Sequence, residues 1–214
     1  MSAATVPKPK LRGWFHEVGF FVSVPAGVGL VAQARDPVGR LTALVYAVSL
    51  TAVFGASAAY HRVRWSPAAR RRMKRLDHSM IFVLIAGTYT PFALLALHGP
   101  LATAILVSVW AGAAAGVLMK LVWIDAPKWL VAATYVILGW VAVAAFPQLA
   151  TSLGITGMAM VAAGGVLYTA GAVIYALRRP DPVPAVFGYH EVFHVLVILA
   201  AALQYAVVAF FVLH

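Results

Sequence analysis

No cysteine occurs anywhere in the 214-residue chain. That excludes disulfides, thiolate metal sites and a cysteine nucleophile. Charge is also scarce: 10% of residues are charged, against roughly 25% in soluble domains. No internal repeat and no soluble domain can be picked out. Apolar residues dominate instead, at 63% of the chain. This composition is that of an integral membrane protein. The excess of Lys and Arg needs no nucleic-acid partner, because in such a protein basic residues usually set orientation.

A spanning helix needs about 20 apolar residues. Charges and breakers mark seven such stretches. Residues 18–34 lie between Glu17 and Arg35, and residues 41–61 between Arg40 and Arg62. From His78 to Met119 there is no Lys, Arg, Asp or Glu, and His98-Gly99-Pro100 divides that run in two. Trp129 to Leu177 divides likewise near Pro147 to Gly154, and Val192 to His214 is the last span. The predicted fold is therefore all-α, with seven transmembrane helices in one bundle over residues 16–214. Residues 1–15 read as a short cytoplasmic tail. Lys8, Lys10 and Arg12 before an apolar stretch, with Ala32-Gln33-Ala34 after it, also have the form of a signal peptide. A retained first span is the reading preferred.

With the N-terminus cytoplasmic, every Lys and Arg except Arg35 and Arg40 falls on the inside. The positive-inside rule favours that orientation and places the C-terminus outside. The basic loop Arg62–Arg75 is chiefly a topology anchor, and it could also grip anionic lipid headgroups.

Topology then gathers polar residues that sequence distance separates. His61 ends the second span, Asp77 begins the third, and His190 and His194 begin the seventh, all at the cytoplasmic face. His190 and His194 are four apart and share one helix face. At that pitch two imidazoles can hold one zinc. A catalytic zinc site has three protein ligands and one open position, and His61 supplies the third. Ionisable residues inside a membrane are candidate functional groups by default. His16 and Glu17, at the cytoplasmic end of the first span, can rim the site. His98 and His214 lie on the outer side, and His78 is expected to be interfacial.

His190, Glu191 and His194 also spell H-E-x-x-H, the metalloprotease signature, in which Glu191 would be the base. An intramembrane protease would need another carboxylate ligand in a later span. None follows, because Glu191 is the last acidic residue. The preferred reading places Glu191 at the helix start.

Three segments, "SAAYH" (Ser57–His61), "DHSMIFVLIAGTYTP" (Asp77–Pro91) and "GYHEVFHVL" (Gly188–Leu196), resemble the hemolysin III family. These are bacterial relatives of the adiponectin and progestin receptors, the PAQR group, in a superfamily that includes alkaline ceramidases. The resemblance covers nearly all of the chain beyond its first 15 or so residues. It implies zinc on His61, His190 and His194. It implies that Asp77 orients or deprotonates the attacking water, with Ser57 hydrogen-bonding Asp77 or that water. A small residue easing helix packing explains Ser57 equally well. Receptors of the group can carry Gln where Glu191 stands, which implies that a base is dispensable there.

The function implied is zinc-dependent hydrolysis of a lipid amide or ester, ceramidase-like, at the inner leaflet of the cell membrane. Two alternatives stand beside it: a non-enzymatic regulator of membrane fluidity with structural zinc, and a cytolytic protein. "GTYTP" (Gly87–Pro91), Gly164, Gly165 and Gly171 read as sites of close helix contact, with a kink at Pro91.

Overall fold

The computed structural model describes residues 8–214. The first seven residues of the expected tail lie outside the described residues. The rest is helical: α1 (Trp14–Gln33), α2 (Pro37–Arg62), α3 (Pro67–Pro91), α4 (Gly99–Val122), α5 (Lys128–Gly139), α6 (Phe146–Leu177) and α7 (Tyr189–Val207). A π-turn at Phe92–Ala96 extends α3, and another at Val208–Val212 extends α7. Among the described residues the only β pairing is one bridge between Val183 and Phe187.

Six of these stretches are long and apolar enough to cross a membrane, with Lys128–Leu177 counted as one. Fifty helical residues would reach about 75 Å, more than twice a hydrocarbon core of about 30 Å. The stretch is not straight. A 3₁₀ segment at Trp140–Ala145 follows α5, and Gly154 inside α6 has φ +63°. That conformation is open to glycine and breaks the helix. The two ends lie side by side: Lys128 Nζ sits 4.8 Å from the centre of the Tyr175 ring, and Trp140 Nε1 donates to Thr169 Oγ1 at 3.0 Å.

Local sequence explains the helix starts. Asp36 accepts from the Val38 and Gly39 amides, with Pro37 in the first turn of α2. Ser66 caps α3 in the same way, with Pro67 behind it. This corrects the expected loop at Arg62–Arg75, because residues from Pro67 onward are helical. Arg70, Arg71, Arg72, Lys74 and Arg75 thus ride on the first turns of α3.

Consecutive helices pack on one another, and α1 also packs on α7, so the bundle closes. Large apolar side chains such as Phe21, Val28, Ile137, Ile155 and Phe210 face outward. Ser57, His61, Asp77, Glu191, His194 and Gln204 are buried. Apolar outside with polar groups inside is the arrangement a bilayer imposes.

Small residues set the close approaches. A Cβ on Gly87 would come within 2.2 Å of Ser49 Oγ on α2, and one on Gly164 within 2.6 Å of Gln204 Nε2 on α7. A Cβ on Gly171 would lie 3.3 Å from the Phe193 ring, a tight contact, whereas Gly165 has open space before it. The expected close contact therefore fails at Gly165, which lines a cavity instead. Thr88 and Thr90 turn their hydroxyls back to the Leu84 and Ala86 carbonyls.

Candidate metal centre

The last turn of α2 and the first two turns of α7 meet at one end of the bundle. His61, His190 and His194 converge there, with their metal-donor atoms all within 4.8 Å of one another. Nε2 of His61 stands 3.1 Å from Nε2 of His190. The ring centres of His190 and His194 are 4.5 Å apart, as one helical turn requires. All three lie among helices in a setting where an imidazole nitrogen needs a partner. His194 Nδ1 is buried and has none.

This donor set fits zinc. Tetrahedral zinc with bonds of about 2.0–2.1 Å separates its ligand nitrogens by about 3.4 Å. The His61–His190 pair is already near that spacing, and all three donors lie within 4.8 Å of one another.

Asp77 Oδ2 lies 4.0 Å from His61 Nε2. Ser57, one turn before His61 on α2, is buried, and its hydroxyl makes no hydrogen bond. Ser57, Asp77, His190 and His194 all line one cavity of about 300 Å³. The cavity continues past Ile81 and Ile85 to Phe92, Ile105 and Leu149. From Asp77 to Phe92 along α3 is about 22 Å. The lining is almost wholly apolar beyond the polar end.

Glu191 is turned elsewhere. It is fully buried, and its Oε2 accepts from the Gly188 amide at 2.9 Å. Its Oε1 pairs with Arg12 Nε. Arg12 belongs to a segment laid across this end of the bundle. Lys10 and Leu11 donate backbone hydrogen bonds to Ala185 and Val186, and Lys8 donates to the His61 carbonyl. Burial, with Arg70, Arg12 and Arg62 nearby, lowers the Lys8 pKa. Gly13 has φ +82°, and a Cβ there would meet His61 Cβ at 2.5 Å. Only glycine lets the strap pass so close to this histidine.

Two residues occupy places that sequence reasoning did not assign. His78 was expected at the interface. It is half-buried, lines the cavity, hydrogen-bonds the Lys74 carbonyl and Tyr175 hydroxyl, and lies 3.5 Å from Asp77 Oδ2. The turn of about 100° between adjacent helical residues is small enough for both side chains to reach the cavity. His16 was expected at the rim. It lies inside, stacked on His194 with ring centres 3.8 Å apart and planes 11° from parallel. Its neighbour Glu17 pairs with Arg62 at 2.7 Å. That opposite-charge pair, each member beside a histidine, was the available signal that α1 and α2 meet here. His98 sits at the far end of the bundle, its amide bonded to Gln148.

Outside the spans, Asp125 in the α4–α5 loop takes a hydrogen bond from Lys74 at 2.8 Å and stands 3.7 Å from Arg71. The Lys74 hydrogen bond and charge lower the Asp125 pKa.

A closed bundle with an apolar exterior and a buried histidine cluster at one end defines a multi-pass integral protein of the cell membrane. The comparisons with known proteins carry the assignment further. The family described as Haemolysin-III related matches residues 4–205, and the chain belongs to that family. The match begins within the tail, so it reaches further than the three segments that first suggested it. The chain is 32% identical over 204 residues to Hemolysin-3 of Bacillus cereus, covering 92% of this chain and 89% of that protein. It is 30% identical over 199 residues to a Hemolysin-3 homolog of Bacillus subtilis, covering 92% of this chain and 90% of that protein. It is also 29% identical over 194 residues to the human monocyte to macrophage differentiation factor, covering 86% of this chain and 77% of that protein. No solved structure matches the chain.

Proposed function

We propose that this protein is a zinc-dependent hydrolase that cleaves a fatty-acyl amide or ester of a membrane lipid at the cytoplasmic leaflet. The observation that carries the reading is the juxtaposition of three imidazole donors with a long apolar cavity at the point where Asp77 and Ser57 also face it. We read Lys128–Leu177 as two spans turning at Gly154, which makes seven, with the N-terminus inside and the C-terminus outside. His61, His190 and His194 then lie at the cytoplasmic leaflet.

His61, His190 and His194 hold the metal. Zinc at such a site supplies a Lewis acid that lowers the pKa of water to about 7. Asp77 orients the attacking water and accepts its proton, a task that requires hydrogen-bond reach of the water, not of the histidines. Ser57 hydrogen-bonds Asp77 or that water. The apolar lining takes the acyl chain, and its length suits a long one. Exposed Arg70, Arg71 and Arg72 at the start of α3 face the headgroup layer, where they attract anionic lipids.

A fluidity regulator with structural zinc would need no cavity reaching its ligands, since structural zinc sites are closed by four protein donors. The cavity at His190 and His194 favours the enzyme.

The test is release of fatty acid from a panel of membrane lipids, ceramide included, by purified wild type and Asp77→Asn. Asp77→Asn keeps the shape and removes the basicity. It should keep its zinc and lose on the order of 10²–10⁴ in turnover, the usual contribution of general base catalysis. Equal turnover in the two proteins rejects Asp77 as the base, and no release from any lipid by zinc-loaded wild type rejects the hydrolase.

A further inference from the structure

His16 is a buried imidazole that the proposed chemistry does not use. It sits in the first turn of α1 and is 3% exposed. One face lies flat on His194, and the ring of Phe54 stands 5.1 Å away, centre to centre. It lines the same cavity as Asp77, His190 and His194. Neither its Nδ1 nor its Nε2 has a hydrogen-bond partner.

A neutral imidazole carries one donor and one acceptor. Burying both without partners is costly, whereas a phenyl ring would fill the same stack at no such cost. Packing therefore accounts for a ring here but not for its nitrogens. The three converging donors do not include His16, so ligation does not account for them either. A polar group carried by the occupant of the cavity that His16 lines would supply such a partner.

We propose that His16 is a further binding residue of this centre, donating a hydrogen bond to the carbonyl or carboxylate oxygen of a lipid held in the cavity beside the metal. The proposal rests on the metal-centre reading above. The stack on His194 orients the donor, and the cavity delivers the oxygen to it.

Cobalt-loaded protein reports the test without turnover, because visible absorption of Co²⁺ follows its ligands. Palmitate is the probe, titrated into wild type, His16→Phe and His16→Gln. All three should bind one Co²⁺ and unfold at similar temperatures. Palmitate should shift the wild-type spectrum. His16→Phe should bind it on the order of 10- to 100-fold more weakly, the loss expected for one hydrogen bond to a charged partner. His16→Gln, which keeps a donor but no ring, should restore most of the affinity.

Wild-type affinity in His16→Phe would reduce His16 to packing and overturn the proposal. So would loss of Co²⁺ from a folded His16→Phe, which would make His16 a ligand. If wild type binds Co²⁺ but palmitate leaves its spectrum unchanged, the metal centre stands and this proposal falls. If folded wild type takes up no Co²⁺, both fall.

Discussion

The Glu191 carboxylate accepts a hydrogen bond from the Gly188 amide at 2.9 Å, closing the first turn of α7. Its other oxygen pairs with Arg12. Both oxygens are therefore engaged away from the cavity. The letters H-E-x-x-H are present, but this glutamate holds a helix start and an N-terminal strap.

It follows that Glu191→Gln should retain zinc and most of its turnover. The amide keeps an acceptor for Gly188 and loses the charge that Arg12 faces. Stability should fall by about 1.5–3 kcal/mol, the range for a hydrogen bond to a charged group. Thermal unfolding in detergent measures this. A stable, zinc-loaded and inactive Glu191→Gln would restore Glu191 as the base.

The termini should lie on opposite sides of the membrane. Reporters fused after Pro9 and within residues 66–70 should read as cytoplasmic, and one at His214 as external. A cytoplasmic reporter at His214 would mean that Lys128–Leu177 does not cross twice.

Two glycines offer a paired test of packing. A Cβ on Gly116 of α4 would fall 2.3 Å from the ring of Phe82 on α3, and Phe82 is only 1% exposed. Gly165 has nothing within 4 Å of such an atom. Gly116→Val should destabilise by about 1–3 kcal/mol through overpacking. Gly165→Ala should cost little. Comparable losses at both positions would show that α3 and α4 do not meet as described.

Acid should release the metal. Each histidine must be neutral to bind, so protons compete for the same nitrogens. Zinc affinity should fall as pH is lowered far enough for protons to compete for these buried imidazoles. Dialysis at a series of pH values with zinc analysis follows it, and a pH-independent zinc content would point away from imidazole ligands.

Much of the site was legible in the sequence, for identifiable reasons. The helical pitch alone puts His190 and His194 on one face. Counting spans brings His61 and Asp77 to the same end, and the structure places His61 Nε2 3.1 Å from His190. Ser66-Pro67 is an ordinary helix start, so the helical course of the basic segment was legible but unread. The break near Gly154 was anticipated only as a region. What was hidden depends on how chain ends dock. The stack of His16 on His194 and the pairing of Arg12 with Glu191 arise because α1 lies beside α7, and no local pattern encodes that neighbourhood. Helical pitch alone does not show that His78 lines the cavity beside Asp77.

Zinc stoichiometry of the purified protein tests the central claim most directly. Elemental analysis of wild type should find one zinc per chain. The His190→Ala, His194→Ala double variant should hold none while remaining folded, as judged by its unfolding transition. Stoichiometric zinc retained in the double variant, or no zinc in folded wild type offered the metal, would contradict the account.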